Sequence, residues 1–250
     1  MRARTEYAAK ELSPAARKLR MLKKLRCTLR FERLAWATGA QLVAGVDEAG
    51  RGALFGPVVA AAVILDPRRP IRGLRDSKLI PENRREELAE IIHRRAVAFA
   101  VAAVDAARID EINIYQASRE AMREAVLQLS PAPDFLLVDA MRLDCDCPQT
   151  SIIHGDARSA SIAAASILAK VERYRILREF DPQFPAYGLA SNKGYSTPQH
   201  LDSLRRVGPS SLHRRSFAPV WNCAQEPLAF MLDEEELAAP AGDGAQSPSP

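Results

Sequence analysis

The distribution of apolar residues along the chain predicts an α/β protein. Apolar runs at 42–46, 57–65 and 96–104 are short and bounded by polar or glycine-containing segments, which is typical of buried strands. A run at 135–138 and a weaker one at 151–154 predict two more strands. A short turn joins the first two runs, whereas helices separate the later ones. We therefore expect a mixed sheet rather than a purely parallel one.

Segments with helical spacing lie between and after these runs. Proline or a capping side chain begins several of them, and the longest has alanine-rich early turns that would allow close packing on a sheet. The predicted helices span 13–29, 82–95, 109–113, 115–129, 159–180 and 198–207.

Charge is distributed unevenly and indicates how the chain is organised. The formal net charge is only +4, but residues 1–34 hold eleven Lys or Arg against three Glu, and 225–250 hold six acidic and no basic residues. We expect a basic, helical N-terminal extension at 1–38, a folded domain at 39–224 that is helical from about 182, and an acidic, disordered tail at 225–250. The basic helix could lie along nucleic-acid phosphates or pack on the domain as a solvated helix.

The cysteines and the terminal segments favour a cytoplasmic protein. Cys27, Cys145, Cys147 and Cys223 form no CxxC pair and have no nearby histidine at zinc-ligand spacing, so we expect reduced thiols. The basic N-terminus has no uninterrupted apolar stretch of the kind a secretory signal needs, and no apolar run approaches the length of a membrane span.

Carboxylates follow three of the apolar runs. They are Asp47, Glu48, Asp139 and Asp156. Taken singly, each could be an ordinary strand-end or turn residue. Gathered at one edge of a sheet, they would repel one another unless protonated or bound to a cation. Oxygen ligands select hard cations such as Mg²⁺ or Mn²⁺.

A glycine-rich segment follows the first carboxylates. Gly50 and Gly52 allow close approach of the backbone to a ligand, and Arg51 between them suits a phosphate. Together with the acids, this segment indicates a metal site that acts on a phosphodiester.

The motifs AGVDEAGRG, DSK, LLVDA, GDARSASIAAASILAK and NKGYSTPQHL occur in this order over about residues 40–222. The chain thereby resembles ribonuclease HII, the type 2 bacterial ribonuclease H. The resemblance implies a ribonuclease H-like mixed β-sheet flanked by helices, with a helical C-terminal extension. It also implies an Mn²⁺- or Mg²⁺-dependent endonuclease that cleaves RNA–DNA hybrids and DNA duplexes with embedded ribonucleotides, leaving 5′-phosphate and 3′-hydroxyl ends. No protein partner is expected, and monomer is the default.

The resemblance also assigns residues. Asp47, Glu48, Asp139 and Asp156 match the family's metal-binding acids, with Asp47 as the bridging ligand of a two-metal site. Gly50, Arg51, Gly52 and Tyr195 match the groups that read the ribonucleotide 2′-hydroxyl. Lys78 and Lys170 are candidate phosphate contacts or structural ion-pair partners, and Arg214 and Arg215 are further phosphate candidates. The spacing of His154, His200 and His213 suggests neither ligands nor a base.

The chain departs from the family pattern at three positions, and other functions stay open. Ala53 stands where proline is usual, Phe55 where a small residue is usual, and Tyr174 where aspartate is usual. These departures bear on packing and substrate fit. The alternatives are a ribonuclease HIII-like hybrid nuclease, which would carry an N-terminal substrate-binding domain and lack an intact GRG segment, or a non-catalytic hybrid-binding protein.

Overall fold

A computed structural model of the protein describes Ser13 and residues 25–223. Most of the predicted basic helix and the whole acidic tail lie outside the described residues. Where the predicted helix is described, at 25–29, it is wrong: the backbone is not helical, and Thr28 forms a β-bridge with Ser159.

Five strands form one mixed sheet, as predicted. They are β1 (Val43–Ala49), β2 (Val58–Ile64), β3 (Ala98–Val104), β4 (Phe135–Asp139) and β5 (Gln149–Ile152), in the spatial order β3-β2-β1-β4-β5. β1, β2 and β3 pair antiparallel, whereas β4 pairs parallel with both β1 and β5. β5 begins two residues earlier than expected, and β1 continues past the apolar run to include both of its carboxylates.

Helices cover the sheet and continue beyond it. They are α1 (Arg30–Ala37), α2 (Glu82–Arg95), α3 (Ala106–Leu127), α4 (Ala160–Phe180), α5 (Leu189–Asn192) and α6 (Pro198–Val207), and residues 218–223 are also helical. The predicted break near 113 appears as a kink within α3, where Asn113 has a φ of 68°. Hydroxyl or carboxylate caps begin α3, α4 and α6, with Asp105, Ser159 and Thr197 accepting from the first-turn amides. No helix in the described residues is both long and apolar enough to cross a membrane.

The core lies on both faces of the sheet. One cluster packs α3 against the sheet, another packs α2 and α4 against the opposite face, and a third lies among the C-terminal helices around Phe55 and Leu204. The helical C-terminal extension therefore has its own apolar cluster, and Phe55 from the segment after β1 contributes to it.

The beginning of α4 lies directly on β1. A Cβ atom on Gly45 would fall 2.1 Å from the carbonyl carbon of Ser161, so only glycine permits this contact. The buried alanines of α4 allow the same close approach along its first turns. This packing brings the residues just before α4 next to the carboxylates of β1.

A buried carboxylate from α1 stabilises the same helix start. Glu32 is 1 % exposed, and its Oε1 accepts from the Ser159 hydroxyl at 2.7 Å, the Ser161 amide at 2.8 Å and the Ser161 hydroxyl at 2.7 Å. A negative charge at a helix N-terminus is favourable, because the free amides and the helix dipole point towards it. Glu32 therefore anchors α1 to the start of α4.

Candidate active site

Strand register places two of the predicted acids side by side. Val46 of β1 pairs with Val138 of β4 in parallel register. The next residue in each strand is an aspartate, and because side chains alternate between faces, Asp47 and Asp139 lie on the same face of neighbouring strands. That face is the one covered by α4. The carboxyl ends of β1 and β4 thus bring together two residues separated by more than ninety positions.

The turn before α4 adds the third position. The Gly155 amide donates to Oδ1 of Asp139 at 2.7 Å, which fixes the turn against the end of β4. Asp156 follows and is 3 % exposed. Nζ of Lys78 lies 3.5 Å from Oδ2 of Asp156, so this lysine is an ion-pair partner of a site acid as the structure stands.

Glu48 lies on the opposite face of β1 from Asp47. Its Oε1 accepts from Nη1 of Arg51 at 3.4 Å, whereas its Oε2 is buried without a hydrogen-bond partner. A buried carboxylate oxygen is normally paired, because burial of an unpaired charge is costly. Oε2 of Glu48 could therefore bind a cation without giving up a hydrogen bond.

The pKa values of three of the acids are raised, which also favours binding of a cation. Burial, then the neighbouring Glu48 and Asp139, raise the pKa of Asp47 well above its ordinary value, and Lys170 opposes the rise. Burial also raises the pKa of Glu48, against the Arg51 guanidinium, and the pKa of Asp139, against the Gly155 amide. These three carboxylates therefore lack sufficient positive charge within the protein itself.

The four acids fit a divalent cation by the chemistry of their donors. They offer only oxygen ligands, which suits Mg²⁺ or Mn²⁺ rather than zinc, and one of the oxygens is buried and unpaired. Among the described residues, no three Asp, Glu, His or Cys side chains already surround one point. A cation would therefore have to draw the carboxylates together.

Lys170 does not lie where a phosphate contact requires. Its side chain comes from α4, is 9 % exposed, and donates to the Ser77 hydroxyl and, at 3.0 Å, to the Ser166 hydroxyl. Burial lowers the pKa of its ammonium, and Asp47 opposes this effect. The placement favours the structural alternative, in which Lys170 balances the charge of Asp47 from beneath the site.

The glycine-rich loop and the loop that carries Tyr195 pair with each other. The Leu54 amide donates to the Gly194 carbonyl at 2.8 Å, and Ala53 forms an antiparallel bridge with Tyr195. Gly194 has a φ of +74°, and a Cβ there would lie 2.9 Å from the Phe55 carbonyl oxygen. The residues predicted to read a ribonucleotide therefore belong to one surface beside the acids.

Two buried arginines hold these loops, and the sequence prediction missed both roles. Arg173 is fully buried and donates to the carbonyls of Pro57 at 3.1 Å, Lys193 at 2.9 Å and Phe55 at 3.2 Å. Its guanidinium also lies 5.3 Å from the centre of the Tyr195 ring. Arg173 thus contacts both loops.

Arg214 was expected at a phosphate, and the structure places it in the interior instead. It is fully buried and donates to the carbonyls of Gly50 at 2.7 Å, Arg51 at 3.1 Å and Gly56 at 2.9 Å. Burial, then the nearby Arg173, lower its pKa to about 9. Arg214 therefore holds the glycine-rich loop in place through its backbone carbonyls. Sequence alone could not have identified this role, because it depends on contacts with residues far away in the chain.

The three departures from the family pattern lie in packed positions. Ala53 is fully buried at the bridge to Tyr195, and Phe55 is fully buried with its ring edge-on to Phe184 at 5.4 Å. The ring of Tyr174 has the Arg85 guanidinium 5.3 Å from its centre. None of them displaces a candidate metal ligand.

Comparisons of the sequence and of the structure with known proteins point to the same family. The family described as Ribonuclease HII matches residues 44–220. A curated Ribonuclease HII of Koribacter versatilis is 63% identical over 227 residues, covering 90% of this chain and 89% of that one. The crystal structure of ribonuclease H2 from Pyrococcus horikoshii has a TM-score of 0.64 at 26% identity, covering 74% of this chain and 98% of the other. Ribonuclease HII of Archaeoglobus fulgidus, solved in a complex with PCNA, gives 0.62 at 29% identity, covering 74% and 97%.

Proposed function

We propose a detailed function for this chain from one premise: it belongs to the ribonuclease HII family. It is accordingly a ribonuclease H, a metal-dependent hydrolase that acts on RNA–DNA hybrids. The proposal concerns the residues that perform the reaction, the ribonucleotide they recognise, and the parts of the chain involved.

Asp47, Glu48, Asp139 and Asp156 hold two divalent cations, Mg²⁺ or Mn²⁺, in this proposal. The observation that carries it is the register that sets Asp47 beside Asp139, together with the unpaired buried oxygen of Glu48. Divalent cations bound there would supply activation of the attacking water and stabilisation of the charge on the leaving 3′-oxygen. The products would carry 5′-phosphate and 3′-hydroxyl ends.

The paired loops recognise the ribonucleotide. The 2′-hydroxyl is the group that distinguishes RNA from DNA at a single position. Backbone groups of Gly50, Arg51 and Gly52 and the hydroxyl of Tyr195 would bond it, and the Tyr195 ring would stack on the following deoxyribose. The half-exposed Arg51 and the exposed Lys78 are available to phosphates, whereas the buried Lys170 supports the acids from within.

The domain organisation remains part of the proposal. The catalytic unit at 39–224 includes the helical C-terminal part, since Arg214 and Tyr195 from that part contact the glycine-rich loop. The basic segment at 1–34 would add phosphate contacts. Deletion of residues 1–24, which keeps the Thr28 bridge and the Glu32 anchor in place, should weaken binding to a hybrid and flatten the dependence of binding on salt.

Cleavage of a DNA duplex that carries one ribonucleotide tests the proposed function. We expect a cut immediately 5′ of the ribonucleotide with Mg²⁺ or Mn²⁺, no cut with EDTA, and none by the Asp47→Asn variant. A Glu90→Gln variant, altered at an exposed acid of α2, is the matched control and should cut normally. Cleavage of long hybrids only would contradict single-ribonucleotide recognition, and binding without cleavage would contradict catalysis.

A further inference from the structure

Two histidines that showed no sequence relationship form a buried pair. Nε2 of His200, in α6, lies 3.1 Å from Nε2 of His213, and the two side chains are 0 % and 1 % exposed. The spacing of these histidines in the sequence gives no sign of this contact. Aromatic rings surround the pair: Tyr187 lies 4.6 Å and Phe55 4.9 Å from the His213 ring, centre to centre.

The partners of the pair determine where each proton lies. The Ser210 amide, which can only donate, bonds Nδ1 of His213 at 3.0 Å, so that nitrogen is bare and Nε2 carries the hydrogen. At the other end, Nδ1 of His200 lies 2.9 Å from the Tyr195 carbonyl oxygen, which can only accept. Nδ1 of His200 therefore carries hydrogen, and its Nε2 accepts from His213.

This arrangement is a one-directional chain of hydrogen bonds with both rings neutral. It runs from the Ser210 amide through His213 and His200 to the carbonyl of Tyr195. A second proton on His200 would set its Nε2 donor against that of His213. A second proton on His213 would face the Ser210 amide, with only the Ser210 hydroxyl, 2.9 Å away, able to accept it. Burial lowers the pKa of both imidazoles, to about 3 for His213, where the neighbouring His200 adds to the effect.

The two ends of the chain are attached to different arms of the proposed recognition surface. His213 forms a bridge with Phe55, and its neighbour Arg214 binds the carbonyls of the glycine-rich loop. His200 bonds the carbonyl of Tyr195 itself. The hydrogen bond between the imidazoles thus links the segment of Arg214, which holds the GRG loop, to the backbone of Tyr195.

We propose that His200 and His213 are positioning residues that set the placement of Tyr195 relative to the GRG loop, and thereby the preference for a single ribonucleotide followed by DNA. This inference rests on the proposed function. Neither histidine touches the substrate in it. They act through the Tyr195 carbonyl on one side and through Arg214 on the other.

Two substitutions at His200 cut opposite halves of the chain. In His200→Gln the amide oxygen can replace Nε2 as the acceptor for His213, but the donor to Tyr195 is lost. In His200→Asn the amide nitrogen can replace Nδ1 as that donor, but the acceptor for His213 is lost. His93→Gln, on the exposed side of α2, is the matched control.

The assay measures kcat and KM on a duplex with one ribonucleotide and on a long RNA–DNA hybrid. We expect each His200 variant to lower the ratio of the two kcat values roughly tenfold, the effect of about one hydrogen bond, with KM unchanged. In a Tyr195→Phe background, which already lacks the reading hydroxyl, His200→Gln should change the ratio less than about twofold. A role in general packing would instead lower both activities equally.

Separate outcomes test the two proposals. If the unaltered protein cuts long hybrids but not the duplex with one ribonucleotide, the proposed function fails. If it cuts that duplex, Tyr195→Phe lowers the ratio of the two kcat values and both His200 variants leave the ratio unchanged, then the positioning role alone is refuted. If the variants do not fold, long-range ¹H–¹⁵N spectra of the unaltered protein can show which imidazole nitrogens carry hydrogen. Hydrogen on Nδ1 of His213 or on Nε2 of His200 would refute the proposed chain of hydrogen bonds.

Discussion

Replacing Gly50 by alanine should destabilise the protein far more than the same replacement at Gly52, two residues along the loop. A Cβ on Gly50 would lie 2.1 Å from Nε of Arg173, and the backbone there has a φ of +95°. A Cβ on Gly52 would have nothing within 4 Å. The two variants therefore separate steric conflict from the mere addition of a methyl group.

The magnitude follows from two contributions. A non-glycine residue at such a φ costs about 1–2 kcal/mol. Displacement of the Arg173 guanidinium threatens three bonds from a charged donor to backbone carbonyls, each worth about 1.5–3 kcal/mol. With one bond lost, Gly50→Ala should lower the free energy of unfolding by about 2.5–5 kcal/mol. Gly52→Ala should lower it by less than about 1 kcal/mol.

Urea unfolding followed by far-UV circular dichroism measures both changes. With an m value of about 2–3 kcal/mol/M, the unfolding midpoint of Gly50→Ala should fall by roughly 1–2 M. Midpoints of the two variants within about 0.3 M of each other would refute the reasoning, because the contact with Arg173 would then have no energetic consequence.

Four further predictions concern other parts of the chain. Asp47→Asn should raise the melting temperature in EDTA by a few degrees, because it removes a repelling buried charge. We also expect Mn²⁺ to raise the melting temperature of the unaltered protein and to leave that of Asp47→Asn unchanged. Glu32→Ala should lower the free energy of unfolding in urea by about 3 kcal/mol, since three donors lose their acceptor. Burial raises the pKa of Cys27 to about 12, so at pH 8 iodoacetamide should label it roughly a thousandfold more slowly in the folded than in the unfolded chain, as mass spectrometry can measure. The pKa of His213 is about 3 in the folded protein and near 6.5 in the unfolded chain, so its contribution to stability is complete above about pH 6.5 and declines towards pH 3. Between pH 7 and pH 5, the free energy of unfolding should therefore fall by about 2 kcal/mol more in the unaltered protein than in His213→Asn.

The periodicity of apolar residues was sufficient to predict the helices and strands whose formation depends mainly on which residues are buried. The amphipathic segment 82–95 became α2 with the predicted bounds, and the apolar runs became strands within a few residues. The segment 25–29 fails because leucine spacing cannot distinguish a helix from a chain that pairs with Ser159. There the tertiary contact overrides local preference.

Part of the candidate site could be predicted from the sequence and part could not. Runs of apolar residues that end in carboxylates indicated the acids, since strand ends meet at a sheet edge, but the face that each acid occupies depends on register. No local pattern distinguishes Arg214, which clasps a loop, from Arg215, whose amide bonds the Asp110 carboxylate on the surface. The imidazole pair is similarly invisible, because its two members approach only when α6 and the following turn fold back on each other.

The bond from Arg214 to the Gly50 carbonyl joins residues 164 positions apart. During synthesis, the acids of β1, β4 and the turn before α4 all leave the ribosome well before this arginine does. The four acids can therefore be synthesised and folded together before Arg214 is available to bind the glycine-rich loop. Under the proposed function, ribonucleotide recognition would then be the last property that the chain acquires during translation, and loss of the final helical part would remove the support of the loop while leaving all four acids in the chain.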